Sequence, residues 1–522
     1  MESKLIADRA ARPVSALGED TAIYIFLGLF AILLAFVTSK HEMYVDEGQA
    51  WLIARDSQNL LQVFQHLRYE GHPALWYLLL YLPAHLSAGI VWMQAINYAL
   101  SVAMAWLVLS ERRVPLAMRV MSVFGVSVFF YTGVLARSYM LSAVLLVGAA
   151  RCLLADRPRH WLAMGLLALA INAHFFAIPA AAGIFVWFYL LAPVHGRGSA
   201  VGRLGERRFW MSAAIIGAAL LLCYFTVRPA PDLYTPHYER AGLRLIDYLV
   251  LGIGRVWCYF VPFPLGILSV AHRELIAPWE HPSLLASALT IILWLLAVSV
   301  LTARRSRWFF LSASVAWMAL VWATVHIPGA FHSSFLFLAY VIALLADTPC
   351  EGEHPWLPSQ FARPVLLVLL GMQIPITVQY SVEESLYPFS GAKATAEWLK
   401  DTGLASRPLV IEPDSAAPAI LAFTGVRSAY FPTCHCTGSF VVFRRGRDEH
   451  RLVTVEEFRD LQQEAGAPPV VISHQQLSVE SRRQMGIQLL YTSPHGEFWP
   501  DEDLYVYGDN NFAMTKSFGS GK

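Results

Sequence analysis

The residues able to do chemistry gather at a few points along the chain. Asp46 and Glu47 adjoin one another just beyond the first apolar run, and Glu70-Gly71-His72-Pro73 precedes the next. Arg137-Ser138-Tyr139 opens a later run, and His174, His237, Arg244 and His332 stand at or between the ends of others. Adjacent carboxylates can take up a proton or, with histidines nearby, help to hold a divalent cation. A planar guanidinium such as that of Arg137 suits a phosphate. Each residue also has an ordinary role open to it. Asp46 can be a loop acid bound to Arg55 or Arg68, Glu47 a helix cap, and Arg137 a side chain reaching lipid head groups. A lone histidine at a helix end is commonly a hydrogen-bonded interface residue.

The elements that must position these residues are set by composition. Of the 522 residues, 56% are hydrophobic and 15% charged, too apolar a balance for a soluble protein of this length. Apolar runs of 17 to 22 residues recur from Thr21 to Tyr380, each long enough to cross the bilayer core as a helix. The first follows Lys4, Arg9 and Arg12 but leads into Ser39-Lys40-His41-Glu42 without a small-residue cleavage site, so it reads as an uncleaved helix. Basic residues cluster at Arg112 to Arg119, Arg151 to Arg159, Arg197 to Arg208 and Arg304 to Arg307, loops expected to be cytoplasmic together with the N-terminus. Eleven crossings result, near 21–38, 89–110, 116–134, 138–154, 160–173, 175–192, 209–227, 283–302, 308–326, 331–346 and 364–380. Stretches 73–87 and 246–268 are interfacial, re-entrant or extra crossings, giving 11 to 13 in all. An odd number places the tail outside, on the face shared by Asp46, Arg137, His174, the segment His237 to Arg244 and His332.

Residues 1–380 thus form a membrane domain of net charge +6, and residues 381–522, net −5, an extracytoplasmic α/β domain. In the tail, helices at 391–401, near 415–423 and at 454–465 alternate with strands at 408–412 and 469–473, a pattern that predicts a parallel sheet. It has no glycine-rich phosphate loop and no nucleophile elbow, which points to a scaffold or recognition role. Cys434-His435-Cys436 is read as structural or redox-inert, since a disulfide across one residue is strained and a metal would need further ligands. Residues 39–72 are too patterned for a plain connector. Ile53, Leu60, Leu61, Phe64 and Leu67 recur at helical spacing, with Asp56 or Ser57 as an N-cap between two short helices lying on the membrane surface over a cavity. Trp51, Trp76 and Trp92 fit an interfacial aromatic belt or a sugar-stacking wall.

The order of these features resembles the GT-C glycosyltransferases, in particular the group holding protein O-mannosyltransferases and the bacterial transferases that add aminoarabinose or galacturonic acid to lipid A. Those proteins have an Asp-Glu pair after the first transmembrane helix, juxtamembrane helices, and a His- or Lys-Pro-Pro-Leu stretch before the next apolar segment. Asp46-Glu47 and His72-Pro73-Ala74-Leu75 stand at those places, Ala136-Arg137-Ser138-Tyr139 opens a helix, and the tail is extracytoplasmic. Ala74 replaces the second proline, and His72 stands where some members have a phosphate-contacting lysine. A histidine carries such a charge only below its pKa, about 6.5 when unperturbed.

The resemblance implies a multi-pass protein of the bacterial inner membrane that moves a sugar from a polyprenyl phosphate to a lipid, glycan or protein on the outer face. Inverting displacement needs a base for the acceptor hydroxyl, here Asp46, and positive charge for the departing phosphate. Glu47 would orient Asp46, contact the acceptor or share a divalent cation with it. His72, Glu70, Arg137, Tyr139, His174, His237, Arg244 and His332 are the substrate-binding candidates. The competing expectations are a transporter or flippase, which would place ionisable groups near the midplane of paired broken helices, and a non-catalytic envelope-assembly subunit of the same fold.

Overall fold

The computed structural model describes residues 12–86, 89–191, 200–233, 253, 284–324, 330–496 and 503–509. His237 and Arg244 lie outside the described residues, as do Arg240, Arg255 and nearly all of the stretch 246–268. The apolar runs are helical where they are described. Among these residues, the helices Gly18–Lys40, Val91–Leu109, Arg207–Val227 and Gln360–Leu386 are long and apolar enough to cross a membrane. A fifth crossing is made if Leu116–Phe124 and Val126–Val134, bent by 48° at Gly125, count as one. Several other runs form shorter apolar helices, among them Ser138–Leu154, His160–Ala173, Phe175–Leu190 and Phe331–Leu345. A 14-residue helix rises only about 21 Å, so the expected count of eleven full-length crossings is not reproduced by length alone. Leu75–Leu86 is also such a helix, with Pro83 inside it.

Polar side chains inside the bundle join backbone to backbone. Asn97 donates its amide to the carbonyls of Thr132 (3.1 Å), Gly133 (2.8 Å) and Leu135 (3.2 Å). Those carbonyls are released where the helix widens into a π turn over Phe129–Val134 and Leu135 becomes extended. A buried carbonyl left without a donor is costly, so Asn97 stabilises the sharp turn that leads into Arg137. Ser142 donates to the Ala170 carbonyl and Asn172 to that of Ala219, which joins the helices Ser138–Leu154, His160–Ala173 and Arg207–Val227.

The tail carries a six-stranded sheet in the order β3-β2-β1-β4-β6-β5, built from β1 Leu409–Glu412, β2 Ala429–Phe431, β3 Cys436–Gly438, β4 Val470–Ser473, β5 Ile487–Thr492 and β6 Tyr505–Asp509. Only β1 pairs in parallel, with β2 and β4; the pairs β2–β3, β4–β6 and β5–β6 are antiparallel, so the sheet is mixed and not all-parallel as the sequence pattern predicted. The central strands β1 and β4 are buried along their whole length, the usual state of parallel strands covered on both faces. Cys434 and Cys436 form a disulfide at the start of β3, which leaves neither thiol for a metal.

The first loop differs from the surface-lying pair of helices expected of it. Helix Val45–Asp56 is buried without interruption from Glu47 to Arg55, packed against Leu75–Leu86 on one side and the tail helix Ala417–Thr424 on the other. Arg55 donates to the carbonyls of Leu421 (3.4 Å) and Val426 (2.9 Å), satisfying groups at the C-terminal end of that tail helix. Only the second helix, Leu60–Leu67, is one-sided, with Val63 and Leu67 buried while Leu60 and Leu61 are exposed. Its cap is Asn59, which accepts from the Gln62 amide at 3.0 Å, whereas Asp56 closes the preceding helix paired to Arg55. Trp51 and Trp76 are fully buried, so neither lies in an interfacial belt; Trp92 is half-exposed.

Gly48 marks where the tail meets this helix, since a Cβ there would come within 2.6 Å of the Pro418 carbonyl carbon and oxygen. Gly48→Ala is expected to cost about 1–3 kcal/mol through overpacking. Hydrogen exchange checks this: the amides of Ala417–Thr424 should lose protection in the variant well before those of the membrane helices.

Candidate functional site

The site begins with Glu47, which is fully buried and bonded through both oxygens. Its Oε1 accepts from the Ala136 amide at 2.6 Å, and Oε2 accepts from the Tyr44 amide at 3.2 Å and meets His41 Nε2 at 2.8 Å. The other ring nitrogen of His41 meets Glu384 Oε1 at 3.0 Å, on the helix Gln373–Leu386. One carboxylate therefore holds the backbone beside Asp46 to the backbone beside Arg137, and through His41 fastens both to the last membrane helix. Glu47 caps its helix and has both oxygens hydrogen-bonded inside the protein.

Asp46 and Arg137 face each other as a consequence, with Arg137 Nη1 at 2.5 Å from Asp46 Oδ2 and the Tyr44 hydroxyl donating to the same oxygen at 3.3 Å. Asp46 pairs neither with Arg55 nor with Arg68, and Arg137 does not reach for lipid. The Arg137 side chain is 9% accessible and that of Asp46 52%, so the acid lines an opening although protein surrounds it. Burial works to raise the Asp46 pKa, but the Arg137 guanidinium and the hydrogen bond from the Tyr44 hydroxyl outweigh it and hold the carboxyl below its usual range.

His72 supports Arg137 from the other side. Its Nδ1 lies 2.9 Å from the Glu70 carbonyl and its Nε2 3.3 Å from Arg137 Nη2. Both contacts are made by a neutral ring whose Nδ1–H donates to the carbonyl and whose Nε2 accepts from the guanidinium. Burial and the Arg137 charge push the His72 pKa down to about 4, so it orients Arg137 and does not bring a positive charge to a phosphate. Tyr139 and His174 pack beside it, the ring centroids of His72 and His174 being 5.6 Å apart and those of Tyr139 and His174 4.6 Å apart. His174 Nδ1 accepts from the Phe176 amide, which puts the ring proton on Nε2. That Nε2 is buried and has no hydrogen-bond partner among the described residues. His332 reaches the same cluster, 6.4 Å from Tyr139 between ring centroids.

Glu70 stands across from this cluster, bonded to the Gln49 amide at 2.5 Å. Gln49 also exchanges two hydrogen bonds with the backbone of Val441, tying the loop to the tail. Burial pushes the Glu70 pKa up to about 7, against the smaller effects of Gln49 and Arg137. The roles of His41, Gln49, Tyr44 and Asn97 are not apparent from the sequence, because their partners lie far along the chain. A divalent cation does not fit Asp46 and Glu47. Their carboxylates turn to different partners, and among the described residues no group of three or more His, Cys, Asp or Glu converges.

Burial opposes charging His41, but Glu47 and Glu384 outweigh it and push its pKa up to about 10. A pKa raised on folding gives stability that is complete below about 6.5 and is lost as pH climbs towards about 10. The unfolding temperature should therefore fall over that window in the wild type, and His41→Gln should flatten the dependence. Glu47→Ala, which strands His41 and the Ala136 amide, is expected to cost about 3–5 kcal/mol.

No protein-family model matches the sequence, and no curated protein matches it. Solved structures do. The chain is similar to ArnT from Cupriavidus metallidurans in the apo state, with a TM-score of 0.53, 11% identity, and 94% of this chain and 99% of that one covered. It is similar over the same shares to the ArnT structure bound to undecaprenyl phosphate, with a TM-score of 0.51. With its bundle of apolar helices and small C-terminal sheet, the chain has the fold of the GT-C glycosyltransferases.

Proposed function

We propose that the chain is an inverting membrane glycosyltransferase that takes a sugar from a polyprenyl phosphate and passes it to a hydroxyl of a lipid, glycan or protein on the extracytoplasmic face. The observation that carries this reading is the Asp46–Arg137 pair, an accessible carboxylate held against a nearly buried guanidinium in a GT-C fold. The undecaprenyl phosphate bound to the similar ArnT structure supports a donor of that class. When the donor arrives, its phosphate is a stronger partner for the fork of Arg137 than a lone carboxylate, and Asp46 is released towards the acceptor. The acceptor oxygen then bonds to the anomeric carbon, the carbon–oxygen bond to phosphate breaks, and the hydroxyl proton passes to the base. The polyprenyl phosphate leaves with the electron pair, its charge met by Arg137. The His174 Nε2–H supplies a further neutral donor to the phosphate or a sugar hydroxyl.

A second assignment of the base is favoured by the enclosure of Glu70, held by Gln49, since burial pushes its pKa up to about 7 and so suits proton transfer at neutral pH better than the lowered pKa of Asp46. Transfer assays with reconstituted protein, polyprenyl-phosphate sugars and candidate acceptors separate the two. With Asp46 as base, Asp46→Asn loses about 10²- to 10⁴-fold in kcat, and the wild-type rate stays level from pH 8 down to about 5. With Glu70 as base, the rate falls as pH drops through about 7 and Glu70→Gln carries the large loss. Undiminished transfer in both variants would remove the proposal.

Arg137→Lys keeps a charge but loses the fork that serves Asp46, His72 and phosphate together. Its expected effect is a fall of at least about tenfold in kcat/KM for the lipid-linked donor, measured beside wild type at matched expression.

A further inference from the structure

A cavity of about 520 Å³, lined by several basic side chains, opens at the other end of the bundle. Helix His160–Ala173 connects the two places: its C-cap is His174, in the cluster with Tyr139 and His72, and its first residue lines the second cavity. Fourteen residues at 1.5 Å each put them about 20 Å apart. Three arginines from separate elements converge on this cavity. Arg159 precedes the helix, Arg203 belongs to the short helix Ala200–Leu204, and Arg208 to Arg207–Val227. Among the described residues none of the three is paired with a carboxylate, although Glu206 shares the lining.

Three guanidiniums brought together with the single carboxylate of Glu206 leave an excess of positive charge, which an anion between them relieves. His160 adds a buried Nδ1 that has no hydrogen-bond partner among the described residues. Trp161, 48% exposed and itself part of the lining, marks the membrane–water boundary, as does Trp210, 62% exposed, one turn from Arg207. The volume lies within the range of small-ligand sites. Basic recesses between helix ends at the cytoplasmic boundary, where the charge pattern places these arginines, meet lipid head groups.

We propose that this cavity binds the phosphate of an anionic membrane lipid, with Arg159, Arg203 and Arg208 around the head group and Trp161 against the glycerol and upper chains. The site is separate from the Asp46 centre and does not depend on the reaction assigned there. Such a lipid would brace the ends of the same helices that carry His174 at their far end.

The test uses the purified full chain in detergent, with lipid retention read by native mass spectrometry and stability by thermal unfolding. Phosphatidylglycerol, phosphatidylcholine and inorganic phosphate are added separately to wild type, to Arg203→Gln/Arg208→Gln and to Arg304→Gln/Arg305→Gln, which removes equal charge outside the cavity. Phosphatidylglycerol should bind and stabilise the wild type and the control pair. Its affinity should fall about fivefold for each cavity arginine removed, so roughly twenty-five-fold in the cavity pair. Equal affinity for phosphatidylcholine, or an equal loss in the control pair, overturns the site. If inorganic phosphate alone gives the same arginine-dependent stabilisation, the lipid assignment is overturned in favour of a soluble anion.

Discussion

The structure around the site depends on one buried carboxylate. Glu47 accepts the Ala136 amide, the Tyr44 amide and the His41 ring, and so sets two chain segments, 89 residues apart at Glu47 and Ala136, in fixed register. Arg137 follows the Ala136 amide it holds, and Asp46 immediately precedes Glu47 itself. Their 2.5 Å contact is thus a product of the scaffold and not of two flexible surface side chains finding each other. Isolated exposed ion pairs contribute little; this one joins a half-exposed carboxylate to a guanidinium that is 9% accessible. The second carboxylate, Glu384, keeps His41 charged between two acids, which lets so polar a group lie inside the protein at all.

The tail takes part in the same frame. Helix Val45–Asp56 runs between the bundle and the tail helix Ala417–Thr424, with Gly48 against Pro418, Arg55 on the carbonyls of Leu421 and Val426, and Gln49 on Val441. Gln49 also holds Glu70, so the acid with the pKa near 7 is positioned by the tail as much as by the membrane helices. A scaffold role for residues 381–522 is accordingly a matter of specific hydrogen bonds to the loop that carries the acids.

Hydropathy made most of the bundle legible, because lipid leaves only helices available to an apolar run and the end residues of Ser138–Leu154 and His160–Ala173 follow directly. Order along the chain likewise pointed to Asp46, Arg137 and His72. The sequence misled where partners were distant. Helix Val45–Asp56 has polar residues at Glu47, Gln49 and Arg55 and reads as a surface helix, yet each of those side chains is satisfied by a segment far away in the chain. His41 looked like an ordinary loop residue for the same reason, with Glu384 lying 343 positions further on. In the tail, β2 and β3 are three residues each and β5 is half-exposed, too short or too mixed to stand out, and without them the sheet reads as parallel. The disulfide between Cys434 and Cys436 is local and visible as a motif, but its pairing is a property of the folded turn.

The central claim is that Asp46 and Arg137 act as one unit on a lipid-linked sugar. A double-mutant cycle on kcat/KM, comparing Asp46→Asn, Arg137→Gln and the pair in reconstituted protein supplied with a polyprenyl-phosphate sugar, tests it most directly. If the claim holds, each single change abolishes most of the transfer and the double variant is scarcely worse than the weaker single one, because residues that act together lose their effects non-additively. Losses that simply multiply, or a single variant that retains wild-type transfer, would contradict it.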